Sequence, residues 1–117
     1  MREKEKAVYV DKHKNIFMVK GNTAGFRLTL KTPSGDPYDY SNDIVKLTVK
    51  TDIFTETVLL EKTFSNGRIV FDPSDTNTID YGAYVYDVGL QTPGGDFYTV
   101  IKEKDFVITG RVTSYAE

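Results

Sequence analysis

Apolar residues recur at every second position through much of this chain. Phe26, Leu28 and Leu30 alternate with Arg27, Thr29 and Lys31, and Val45, Leu47 and Val49 alternate with Lys46, Thr48 and Lys50. Further on, Tyr84, Tyr86, Val88 and Leu90 oppose Asp87, Gly89 and Gln91. A period of two sends each set to one face of a strand, and no window sustains the i, i+3, i+4, i+7 stripe of an amphipathic helix. The pattern predicts an all-β protein with strands over Asn15 to Lys20, Gly25 to Lys31, Ile44 to Thr51, Val58 to Ser65, Arg68 to Asp72, Tyr84 to Gln91, Phe97 to Lys102 and Phe106 to Thr109. One wet face per strand suits antiparallel sheets packed face to face. The expected architecture is therefore an antiparallel two-sheet β-sandwich of about seven or eight strands.

Turn residues punctuate these runs. Ser65-Asn66-Gly67-Arg68 reads as a two-residue hairpin turn, because Asn-Gly tolerates the positive φ angles of a type I′ turn, so Val58 to Ser65 should pair with Arg68 to Asp72. In DPSDTNTIDY, Pro73 can open a short helical turn near 73–79, capped by Asp72 and supported by Ser74 and Asp75. A crossover between sheets is expected there. A nine-residue pattern, L-x-T-P-x-G-D-x-Y, occurs twice, as LKTPSGDPY from Leu30 to Tyr38 and LQTPGGDFY from Leu90 to Tyr98. Each copy fits a chain reversal, and two equivalent binding loops are the alternative. The second should be the cleaner hairpin, since Phe97, Tyr98, Val100 and Ile101 continue as a strand. The first is interrupted by Pro37 and by Asp39 to Asp43, so its return strand is expected only at Ile44.

A length of 117 residues fits one domain. Three parts are expected: a charged N-terminal segment, 1–14, a β-sandwich domain, 15–113, and a tail, 114–117. Fifteen basic against seventeen acidic side chains leave a net charge of -2, so no overall basic field favours nucleic acid as a partner. Cysteine is absent, which removes disulfides and thiolate nucleophiles. No apolar run is long enough for a membrane-spanning helix, and MREKEKAVYVDKHK lacks the apolar core of a signal peptide, so neither a membrane partner nor Sec export is expected. The strands at Asn15 to Lys20 and Phe106 to Thr109 are expected at sheet edges, where another chain could add by β-augmentation.

Candidate chemistry is sparse. His13 is the single histidine and stands between Lys12 and Lys14. None of the serines lies in G-x-S-x-G or S-x-x-K. No catalytic residue and no cofactor are expected. Asp72, Asp75, Asn77 and Asp80 gather hard oxygen ligands that calcium accepts, yet the same groups serve as caps and turn formers. Asp36 and Asp96 belong to ordinary turn chemistry. The aromatic residues Tyr38, Tyr40, Tyr81, Phe97 and Tyr98 fall in or near loops and strand ends. Of these, Tyr38, Tyr40, Phe97 and Tyr98 form the expected interaction surface, suited to a protein partner or to stacking against a sugar.

The spacing of Asp80, Gly82, Tyr84 and Tyr86 resembles the entry to strand F of immunoglobulin-like sandwiches. In that likeness Asp72, Asp75, Asp80 and Tyr84 are corner residues, with Tyr84 in the tyrosine-corner position, and Tyr86 stands where antibody domains keep a cysteine. The Tyr84 hydroxyl should then find its partner on the backbone between Asp75 and Asp80. Phe26 to Leu30, Gly35 to Tyr38, Val45 to Lys50 and the run IVFDPSDTNTIDYGAYVYDVGLQTPGGDFYTVI together resemble small β-sandwich proteins encoded in the structural-gene regions of phages and prophages of Gram-positive bacteria. More loosely they are similar to the amino-terminal domains of baseplate upper proteins. The resemblance implies a non-enzymatic virion component or tail and baseplate accessory, whose partners are other virion proteins or itself. It also implies a location in the virion, or in the host cytoplasm during assembly. The alternative expectation is a carbohydrate-binding or adhesion module for a bacterial surface glycan.

Overall fold

A computed structural model describes residues 8–10 and 12–110. The expected tail at 114–117 lies outside the described residues, as does most of the charged segment 1–14. The elements are β1 (Val8–Val10), β2 (Ile16–Val19), β3 (Ala24–Arg27), β4 (Leu30–Lys31), β5 (Pro37–Tyr38), β6 (Ile44–Lys50), β7 (Leu60–Thr63), β8 (Arg68–Phe71), α1 (Pro73–Thr76), β9 (Gly82–Gln91) and β10 (Phe97–Thr109). Strands take up 52% against about 4% helix, so the protein is all-β as its periodicity predicts.

Six strands form the main sheet in the order β1-β2-β10-β9-β6-β7, while β3 pairs with β8 and β4 with β5 in two small sheets. The sheets curl, partly as a half-barrel. Alternation decides which side of each strand is dry: Val45, Leu47 and Val49 on β6, and Tyr86, Val88 and Leu90 on β9, are buried in one shared core. Aromatic rings carry that core from the large sheet into the small one. Tyr86 meets Phe106 at 6.2 Å between ring centroids, Phe106 meets Phe71 at 6.0 Å, Phe71 meets Phe26 at 6.4 Å, and Phe26 meets Phe64 at 6.0 Å. Each such contact adds about 0.5–1.5 kcal/mol beyond the area it buries.

Several expectations change. Pairing is not wholly antiparallel, because β2 runs parallel to β10, from Ile16 opposite Phe106 to Val19 opposite Thr109. The two C-terminal strands merge into one 13-residue strand. Its ladder with β9 slips between Thr99 and Ile101 and again between Ile101 and Lys104, and such bulges disturb the alternation by which a strand is read. Conversely, the strand expected from Gly25 to Lys31 breaks after Arg27, where the Leu28 N–H leaves the ladder to donate to Gly67 O at 2.9 Å.

The Asn-Gly turn forms, with Asn66 and Gly67 at φ 54° and 77° and reciprocal hydrogen bonds between Ser65 and Arg68. Its flanking strands do not pair further, since β7 joins β6 and β8 joins β3. The turn therefore carries the chain from one sheet to another. Helix α1 makes the return crossing, opening at Pro73 and ending before the expected residue 79.

Neither expected edge lies at an edge. Strand β2 is covered by β1 on one side and β10 on the other, and Phe106 to Thr109 lies between β2 and β9. Strand β1 falls within the segment assigned to the N-terminal tail, pairing Val8 with Met18 and Val10 with Ile16.

Candidate functional site: a groove between twin hairpins

The two copies of L-x-T-P-x-G-D-x-Y fold into the same hairpin. In the first, Gly35 N–H donates to Thr32 O at 2.8 Å and Thr32 N–H donates to Asp36 O at 2.8 Å. The second copy has the same pair of bonds, Gly95 to Thr92 and Thr92 to Asp96, each at 2.9 Å. In both, the threonine hydroxyl accepts the aspartate N–H, at 3.3 Å for Asp36 and 3.1 Å for Asp96. Gly35 and Gly95 take φ values of 93° and 95°. This is a three-residue hairpin loop in which a turn is followed by a glycine in the left-handed region. Thr, Pro, Gly and Asp are therefore turn parts, and the first hairpin closes at Pro37–Tyr38 instead of waiting for Ile44.

The repeat's outer residues, Leu and Tyr, face each other across each ladder. Leu30 pairs with Tyr38 in β4–β5, and Leu90 pairs with Tyr98 between β9 and β10. Directly opposed residues share a face of the sheet. The four side chains contribute to one groove of about 1060 Å³ between the hairpins, extended by Leu28, Val100 and Ile101. Tyr38 is 38% exposed and Tyr98 57%, so both rings stay accessible to a ligand.

Electrostatics at the rim keep Tyr38 a donor. Its hydroxyl donates to Asp43 Oδ2 at 2.7 Å, and that bond holds its pKa above the ordinary 10.0, reinforced by desolvation and by the charges of Asp43, Tyr98 and Asp39. Asp39 moves the other way, because Ser41 N–H donates to its carboxylate at 2.9 Å and stabilises the charged form.

The other expected surface aromatics do not line this groove. Phe97, 74% exposed, lies at the outer face of the sheet, where it lines a hollow of about 310 Å³ with Ile44. Tyr40 is half-buried and acts as a clamp: its hydroxyl donates to Leu28 O and sits 3.5 Å from where a Cβ on Gly67 would stand. Tyr81 lies elsewhere, under the Lys20 ammonium at 4.9 Å from its ring centroid.

At the corner, Tyr84 hydroxyl donates to Asp80 O at 2.7 Å, on the backbone stretch expected for it. Asp75 Oδ2 accepts the Asp72 N–H at 2.7 Å and pairs with Lys62 Nζ at 3.0 Å. Asp75 thus caps α1 and ties it to β7. Among the described residues, no group of three or more His, Cys, Asp or Glu side chains could hold a metal ion.

Two features escaped the sequence reading. Thr76 is fully buried, and its Oγ1 accepts the Gly21 N–H at 2.8 Å across 55 residues of chain. A second hollow, of about 440 Å³, opens from the groove at Lys14, Val100 and Ile101 and is lined by Lys12, His13, Lys102 and Lys104. Lys12 and Lys14 are far in sequence from Lys102 and Lys104, so only the fold reveals the lysines as a cluster. No family model matches this chain, and no curated protein or solved structure matches it either. No helix among the described residues is long and apolar enough to cross a membrane.

Proposed function

We propose that this protein is a non-enzymatic interaction module of immunoglobulin-like sandwich type. In this reading it is a phage or prophage structural protein of the tail or baseplate, and it binds other virion proteins or copies of itself through the groove between the twin hairpins. The observation that carries the binding role is the accessible apolar groove framed by the two Leu–Tyr pairs, since aromatic residues lining a concave surface are typical binding anchors. The immunoglobulin-like reading is supported by the parallel β2–β10 pair, the separate β3–β8 pair and the Tyr84–Asp80 corner bond. Assignment to a virion rests on the resemblance of the sequence motifs alone.

The test is light scattering after size exclusion, together with direct binding to phage tail and baseplate proteins. A defined oligomer or a specific complex is expected, weakened about tenfold or more by Tyr38→Ala with Tyr98→Ala while the melting temperature holds. A monomer at high concentration with no affinity for such proteins refutes the proposal. The accessible Tyr38 and Tyr98 rings also favour a second reading, a glycan-binding module. A glycan-array hit that these same substitutions abolish would move the function there.

A further inference from the structure

The groove has a direction, given by charge and by an incomplete ladder. Strand β10 is paired on both sides only from Phe106 to Thr109, where β2 covers it; from Phe97 to Asp105 it pairs with β9 alone among the described residues. That single-sided stretch supplies Tyr98, Val100 and Ile101 to the apolar groove. At its far end the Asp105 N–H is occupied by Asn15 Oδ1 at 3.0 Å, which marks where the free stretch stops.

Charge along this path has one sign. Lys31 and Lys14 line the groove, and Lys12, Lys102 and Lys104 line the hollow that continues it. No carboxylate lines either part among the described residues, in a chain whose acidic groups outnumber its basic ones. Glu103 alternates out of this path and lines the opposite face, beside Lys50 and Asp87. An exposed strand side offers backbone N–H and C=O groups to an added strand, the groove offers pockets for alternate apolar side chains, and the lysines complement acidic ones.

We infer that the free side of β10 from Tyr98 to Glu103 takes up an extended, acidic peptide segment of a protein partner as a further strand. Apolar side chains on one face of that segment enter the groove between the hairpins, and carboxylates farther along the same face meet Lys14, Lys102 and Lys104. This inference rests on the protein-binding reading of the groove and names the chemistry of its partner. A membrane or nucleic acid offers no backbone to complete a ladder. An acidic polysaccharide satisfies the lysines and leaves the strand unpaired.

The probe is a synthetic peptide of about eight residues, near the usual strand length, whose groove-facing alternate positions carry Val or Ile beside the hairpins and Glu beside the lysines, added to the isotope-labelled full chain. Amide resonances of Tyr98 to Glu103 should shift with dose, and their hydrogen exchange should slow. The same peptide N-methylated at alternate residues should bind about tenfold more weakly or not at all, because it cannot donate to a ladder. Lys102→Glu with Lys14→Glu should weaken binding about tenfold, and raised salt should do the same in the parent protein. The inference is overturned by equal binding of the N-methylated peptide, by shifts confined to other surfaces, or by no shift with any such acidic peptide. Binding of an acidic oligosaccharide in place of the peptide also overturns it. So does the finding that Lys102→Val with Lys104→Val merely makes a non-binding protein aggregate, since lysines on an open strand also guard against edge-to-edge association. If the peptide fails while Tyr38→Ala and Tyr98→Ala still disrupt a protein complex, the groove remains the interface and only strand addition falls.

Discussion

Replacing Gly95 by alanine isolates the backbone cost of the repeated turn. A Cβ at Gly95 would meet nothing within 4 Å, so steric crowding contributes nothing, and the whole penalty comes from φ at 95°. Holding an L-residue in the left-handed region costs about 1–2 kcal/mol. Alanine also restricts the unfolded chain, which returns about 0.4–1 kcal/mol and leaves a net loss near 1 kcal/mol. For a chain of this length that is a fall in melting temperature of about 4 °C. Gly94 is the internal control. Its φ is not positive, its Cβ would stand 3.9 Å from Thr92 Oγ1, and the first copy of the repeat places Ser34 at the matching position. Gly94→Ala should therefore gain roughly 0.4–1 kcal/mol. Thermal and urea unfolding followed by circular dichroism, with an unchanged urea m-value, measure both. If the two neighbouring substitutions have the same effect, the turn assignment is wrong. Gly35→Ala faces the same strain, but β4 and β5 are only two residues each. The first hairpin can therefore open locally, and the loss should appear in faster exchange of the Thr32 amide more than in global melting.

Two other substitutions test buried polar links. Thr76→Val keeps the shape of the side chain and strands the buried Gly21 N–H, at a cost of about 1–3 kcal/mol; Thr76→Ser, which keeps the acceptor, should lose less, and urea midpoints distinguish them. Tyr40 is raised from its ordinary pKa of 10.0 by burial, opposed by Arg27, so folding favours its neutral form. The stability it contributes is complete below the ordinary value and is lost as pH rises through the folded one. Tyr40→Phe should cost about 0.5–1.5 kcal/mol near neutrality through the lost bond to Leu28 O, and should flatten the alkaline fall in melting temperature. An unchanged alkaline slope refutes the link.

The N-terminal strand and the long last strand show where sequence reading loses its hold. Val8–Val10 has too few residues to establish a period, and its place in the sheet comes from β2 beside it. In β10, the charged run Lys102 to Asp105 interrupts apolar alternation, and bulges re-aim the side chains, so one strand reads as two. Of the expected surface aromatics, Tyr38 and Tyr98 share the groove, Phe97 faces elsewhere and Tyr40 is a structural clamp. Residue type and loop position were the same for all four; cross-strand register and depth separate them.

Sequence by itself determined what neighbours along the chain control. Alternation dictated β-strands and their dry faces, Asn66-Gly67 dictated a positive-φ turn, and Thr-Pro-x-Gly-Asp dictated a chain reversal in both copies. Only the tertiary structure decided which strands pair, that the last strand runs parallel to Ile16–Val19, and that the two hairpins stand side by side. The physical reason is range: dihedral preference and side-chain period act over a few residues, whereas pairing and groove formation depend on burying apolar surface between segments far apart in sequence. The lysine cluster that gives the groove its charge belongs to that second kind.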